Sequence, residues 1–116
     1  MTTFKDELVA KVKSVRNSVK ENAIIMFSEE LKIEMMKVAS RGETNGSIHL
    51  DPEEYTELGK ILLLSDDITY LNTNSIYSWF LRQFKEKKMF DGIDMILNED
   101  DDYYLLEFNW YLLEFN

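Results

Sequence analysis

The chain has no cysteine, a single histidine, a single proline and only four glycines. Without thiols there is no disulfide, no thiolate nucleophile and no thiolate metal ligand, so the fold must rest on its hydrophobic core, as suits a reducing compartment. Gly42, Gly46, Gly59 and Gly92 fit no phosphate-loop or dinucleotide-binding spacing, which argues against a nucleotide enzyme. Long apolar runs are missing too. The longest clusters, Ala23 to Phe27 and Ile61 to Leu64, fall far short of the roughly 18 to 20 residues that span a bilayer, so no membrane partner is expected. The opening Met1-Thr2-Thr3-Phe4-Lys5-Asp6-Glu7 lacks the basic patch and apolar stretch of a secretory signal, and a cytoplasmic location is expected. Positive charge is scarce: 13 Lys and Arg stand against 22 Asp and Glu, a net charge of −9. A surface of that sign repels phosphate backbones, which disfavours nucleic acid as a direct ligand.

What is present is ample material for one core. Of 116 residues, 45% are apolar and 13% aromatic, so the chain is read as a single α+β domain over 1–116. Its helical front half covers 1–41. A strand, two further helices and a C-terminal antiparallel hairpin follow over 47–116. The charge is segregated along it: residues 1–20 carry Lys5, Lys11, Lys13, Arg16 and Lys20 against only Asp6 and Glu7, whereas the rest is strongly acidic. Attraction between a basic first helix and an acidic body explains that pattern, and so does a polar surface used for binding.

From Thr3, Phe4, Leu8, Val12, Val15 and Val19 recur at helical spacing as one stripe, with Thr3 and Asp6 placed as a capping box. Ser28-Glu29-Glu30 has the form of a fresh cap, which predicts a break and a second helix presenting Leu31, Met35 and Val38 or Ala39 inward. One continuous helix over 4–40 is the alternative. Gly42 ends the helical half, Asn45-Gly46 reads as a turn, and Ser47 to Leu50 as a short strand. Asp51-Pro52-Glu53-Glu54 predicts a helix start, with Tyr55, Leu58 and Ile61 or Leu62 buried. Asn72 to Ser75 offer caps for a helix over 76–88 built on Ile76, Phe80 and Phe84. After Asp91-Gly92, Ile93 to Leu97 reads as a strand, Asn98 to Asp102 as a polar hairpin loop, and Tyr104, Leu106, Phe108 and Trp110 as one face of the return. The hexapeptide Tyr104 to Asn109 is repeated as Tyr111 to Asn116. An offset of seven residues would turn the second copy to the opposite face of an unbroken strand.

Candidate chemistry is sparse. His49 has no nucleophile or orienting group beside it in the sequence, and a surface role fits it better than general-base catalysis. The acidic run from Asn98 lacks the alternating ligands of an EF-hand loop, so a solvated hairpin tip explains it more simply than a metal site. No catalytic, metal-binding or cofactor-binding residue is assigned, and no cofactor is expected. The aromatic side chains coincide with core stripes except Trp79 and the terminal Tyr111 and Phe115, which are the candidate exposed contacts.

A small acidic domain with a capped helical front half, an aromatic hairpin and no site resembles the small accessory proteins of bacteriophages, including anti-CRISPR and other anti-defence inhibitors. That resemblance covers general build alone. It implies a non-enzymatic inhibitor in the host cytoplasm whose carboxylates replace phosphates on a basic, nucleic-acid-handling protein partner. The residues assigned to that contact are Glu53, Glu54, Glu57, Asp66, Asp67, Glu99, Asp100, Asp101 and Asp102, with Trp79, Tyr111 and Phe115 as anchors. The basic first helix departs from a uniformly acidic DNA mimic. A self-assembling homodimer that pairs C-terminal strands is the alternative, and a carboxylate-dependent hydrolase a third reading.

Overall fold

The polypeptide begins with a helix too long for the domain it serves. In the computed structural model, which describes residues 1–100 and 103–110, α1 runs unbroken over Phe4–Ser40. Its 37 residues extend about 55 Å at 1.5 Å per residue. The capping box forms as the sequence implies: Asp6 N–H donates to Thr3 Oγ1, and Thr3 N–H to Asp6 Oδ2, both at 3.1 Å. At the other end Gly42 N–H donates to the Ala39 carbonyl at 2.9 Å, and its left-handed φ of 77° turns the chain so that Glu43 N–H reaches the Val38 carbonyl at 3.3 Å.

The expected break at Ser28 does not occur. The Ser28 hydroxyl donates back to the Ile25 carbonyl at 2.8 Å instead of capping a new turn, and the residue is buried. Phe27 and Leu31 on either side are buried as well, so tertiary packing holds the helix through a sequence with cap chemistry.

Strand β1 (Asn45–Leu50) follows, then α2 (Thr56–Leu64), α3 (Thr73–Glu86), β2 (Ile93–Asp100) and β3 (Tyr103–Trp110). This is the α+β domain read from the sequence, with several boundaries moved. Asn45-Gly46 lies within β1 and is not a turn. Asp51 does not cap α2; its Oδ1 accepts from Glu53 N–H at 2.8 Å and closes a turn, and the helix starts only at Thr56. The hairpin's polar residues Asn98, Glu99 and Asp100 extend β2 instead of forming a loop. Of the four residues offered as caps Asn72 is the one that serves, accepting from Ser75 N–H at 2.8 Å, and α3 runs from Thr73 to Glu86 in place of the expected 76–88.

The sheet is antiparallel in the order β1-β3-β2. Ile48 faces Leu106 and Leu50 faces Tyr104 on one side, while Met95 pairs with Phe108 and Leu97 with Leu106 on the other, so alternate residues line one inner face. The helices cover that face. Phe27 stands at the centre of the core, its ring 4.7 Å from Phe80, 5.4 Å from Tyr77 and 5.9 Å from Tyr55. Burying a ring of that size contributes on the order of 2 to 3 kcal/mol, with edge-on aromatic contacts adding to it.

Only the second half of α1 takes part. Ala23, Ile24, Phe27, Leu31, Met35 and Val38 are buried, whereas the stripe expected to face inward is in solvent: Phe4 is 73% exposed, Leu8 51%, Val12 45% and Val15 47%. The first four turns therefore project past the body. They stretch the radius of gyration to 17.4 Å, against about 13 Å for a compact chain of this length.

Candidate functional site

Where α1 leaves the core, a shallow groove of about 520 Å³ opens between it and the turn that leads into α2. Val19, Ala23 and Met26 form one wall, and Glu53, Glu54, Tyr55 and Glu57 the other. The turn is fixed from below. Tyr77 Oη donates to the Asp51 carbonyl at 2.9 Å, and the Tyr55 and Tyr77 rings meet edge to face at 5.9 Å.

Carboxylates crowd this turn. Partial burial pushes the Glu54 carboxyl above its ordinary value, and the neighbouring charges of Glu30 and Asp51 push it further. The same negative field, added to burial, raises the phenols of Tyr55 and Tyr77 well above the usual tyrosine range. Among the described residues, no cation lies within ion-pair distance of Glu30, Asp51, Glu53 or Glu54; Glu57 alone on this rim meets one, Lys60 at 3.1 Å. The site thus combines an apolar floor with uncompensated negative charge, a surface suited to a cationic, partly apolar segment.

The other acids assigned from the sequence lie elsewhere. Asp66 is exposed at the far end of α2 in a left-handed conformation with φ 61°. Asp67 is engaged: its Oδ2 sits 2.6 Å from Lys20 Nζ, an ion pair by distance at an angle outside hydrogen-bond geometry. Glu99 accepts from Asn74 Nδ2 and Tyr104 Oη, both at 3.3 Å, at the end of the sheet. The structure therefore brings together Glu53, Glu54 and Glu57 and places Asp66, Asp67 and Glu99 apart from them.

Trp79, expected as an exposed anchor, is 3% exposed. Helix α3 is packed by α1 and α2 on one flank and by β2 on another, so its buried arc is wide enough to take in Ile76, Trp79 and Phe80 together. The side chain of Asp100, and Asp101, Asp102, Tyr111 and Phe115 altogether, lie outside the described residues. Sequence reasoning missed Glu30, whose place beside Glu54 is set by the docking of α1, and Asp51, which the local turn sets beside it.

His49 is exposed on the uncovered face of the sheet, with the Tyr103 ring 5.8 Å away as its aromatic neighbour. A second open cleft, of about 450 Å³, lies between α3 and β2 and is lined by Arg82, Lys85, Asp91 and Asp94 among apolar side chains. Among the described residues no group of three His, Asp or Glu is placed to hold a metal ion, and no helix is long and apolar enough to cross a membrane. Compared with protein-family models, curated proteins and solved structures, the chain matches none.

Proposed function

We propose that this protein is a non-enzymatic binding protein that acts by occupying a basic surface of a larger protein, with the groove between α1 and the Asp51 to Glu57 turn as its contact. The observation that supports this is the crowding of Glu54 by Glu30 and Asp51 with no cation to offset it. Free carboxylates held together at an apolar floor gain most from a partner that brings lysine or arginine with some hydrophobic surface. In the form implied by the resemblance to phage inhibitors, that partner handles nucleic acid, and the carboxylates stand where phosphates would.

Capture from a bacterial lysate on the immobilised chain tests the reading. Proteins retained at low salt should elute with added salt or with competing duplex DNA, and the double variant Glu53→Gln/Glu54→Gln should retain several-fold less. Capture that is indifferent to salt and to both substitutions would remove it.

A further inference from the structure

The exposed stripe on α1 does not stop where the body begins. Advancing about 100° per residue, Leu8, Val12, Val15 and Val19 continue into Met26 and Ile33 along a single line, about 140° around the helix from the face that packs on the core. Met26 and Ile33 are as open as the projecting turns, at 64% and 57% exposure. Within this line the steps from Leu8 to Val12 to Val15 to Val19 are four, three and four, and Val12, Val19, Met26 and Ile33 are each seven apart. That is the spacing of a helix which packs against another helix; Met26 and Ile33 on it are open, while Val19 also packs at the edge of the body.

The charges beside the seam change sign midway. In the projecting half Lys5 and Arg16 flank it on one side and Lys11 on the other; in the body half Glu30 and Glu34 flank it on one side and Glu29 on the other, with Lys37 on the line one turn past Ile33. Lys5, Lys11, Lys13 and Arg16 meet no carboxylate at ion-pair distance among the described residues.

We propose that α1 is a self-association surface: two copies of this chain pair along the Leu8 to Ile33 seam as an antiparallel, two-fold helix pair, the basic half of each on the acidic half of the other. Antiparallel sense follows from the charges. A parallel pair would set Lys5 and Arg16 against Lys11, and Glu30 and Glu34 against Glu29, whereas reversal brings Lys5, Lys11 and Arg16 to the Glu29, Glu30 and Glu34 end of the second copy. An anionic membrane surface would suit the first half alone, since the acids beside Met26 and Ile33 are repelled by it. This inference does not rest on the acidic-groove reading; the two surfaces meet only at Val19 and Met26.

The test is sedimentation equilibrium of the full chain at moderate salt. A concentration-dependent mass approaching twice 13.8 kDa is expected. Leu8→Glu/Val15→Glu should weaken the dimer roughly thirtyfold or more, as loss of interface anchors does, while the midpoint of urea unfolding, compared at a concentration where the parent is monomeric, stays in place. Reversing Lys5, Lys11 and Arg16 to Glu should also break it, and adding Glu29→Lys, Glu30→Lys and Glu34→Lys should restore it. The absence of native cysteine allows the sense to be read directly. Leu8→Cys mixed with Ile33→Cys should cross-link with a short thiol reagent, and Leu8→Cys alone should not.

A strict monomer, or a dimer indifferent to the seam variants, overturns the proposal, and so does self-cross-linking at position 8. A monomer that binds phosphatidylcholine–phosphatidylserine vesicles through Leu8 and Val15 would hand the seam to a membrane. A monomer that still captures basic proteins through Glu53 and Glu54 would sink the dimer and leave the groove reading intact.

Discussion

The phenol of Tyr77 donates a hydrogen bond of 2.9 Å to the backbone carbonyl of Asp51, tying the third helix to the turn that carries the acidic rim. Tyr77 is 3% exposed, so the bond is made from the buried side of the turn. Tyr77→Phe keeps the ring against Phe27 and Tyr55 and removes only the bond. The expected loss is about 1 to 2 kcal/mol, seen as a lower urea midpoint with an unchanged slope.

Gly46 shows how closely α1 and the sheet approach. A Cβ there would lie 2.8 Å from Val38 Cγ2 and 3.1 Å from Phe108 Cζ. Both neighbours are 1% exposed, and neither a short branched side chain nor a packed ring has room to withdraw. Gly46→Ala should therefore destabilise by about 1 to 3 kcal/mol in thermal or chemical unfolding.

Ser28 separates the two readings of the helical half. At an N-cap, replacement by alanine costs about 1 kcal/mol; in mid-helix, with the hydroxyl bonded to its own chain, alanine is the better helix former. Ser28→Ala should fall within about 0.5 kcal/mol of the parent, in either direction. A loss well beyond that would restore the break.

Glu54 should make stability depend on acidity in a specific direction. Burial and the charges of Glu30 and Asp51 raise its folded-state affinity for a proton above the ordinary value of 4.5. Its contribution to stability is then fully present below 4.5 and is lost as pH rises through the higher folded value. Glu54→Gln abolishes that loss. The variant should melt above the parent at pH near 7, and the two curves should converge below pH 4.5, where the parent carboxyl is protonated both folded and unfolded.

Part of the local chemistry was legible in the sequence, although Ser28 and Asp51 carry cap chemistry too and neither starts a helix. Thr3 with Asp6, Gly42, Asn72 and Gly92 mark ends that the structure places where the residues imply, because caps and left-handed turns act over three or four residues. The alternation of Tyr104, Leu106, Phe108 and Trp110 also predicts the face of β3 turned to the core. The orientation of α1 was not legible. The helix carries two apolar lines at different phases, Ala23-Phe27-Leu31-Val38 and Leu8-Val15-Met26-Ile33, and periodicity alone cannot say which of them meets the body. The acidic groove was half legible: Glu53, Glu54 and Glu57 stand together in the sequence, but Glu30 joins them only through the docking of α1 on the turn.

The position of β3 between β1 and β2 has a bearing on how the molecule is made. Each outer strand finds its hydrogen-bonding partner only in the strand translated after both, so during synthesis the first helix can form well ahead while the sheet waits with two open edges. Whatever disturbs Tyr103 to Trp110 removes both ladders at once. Lesions there should act on the yield of finished protein more than equally severe lesions in either flanking strand.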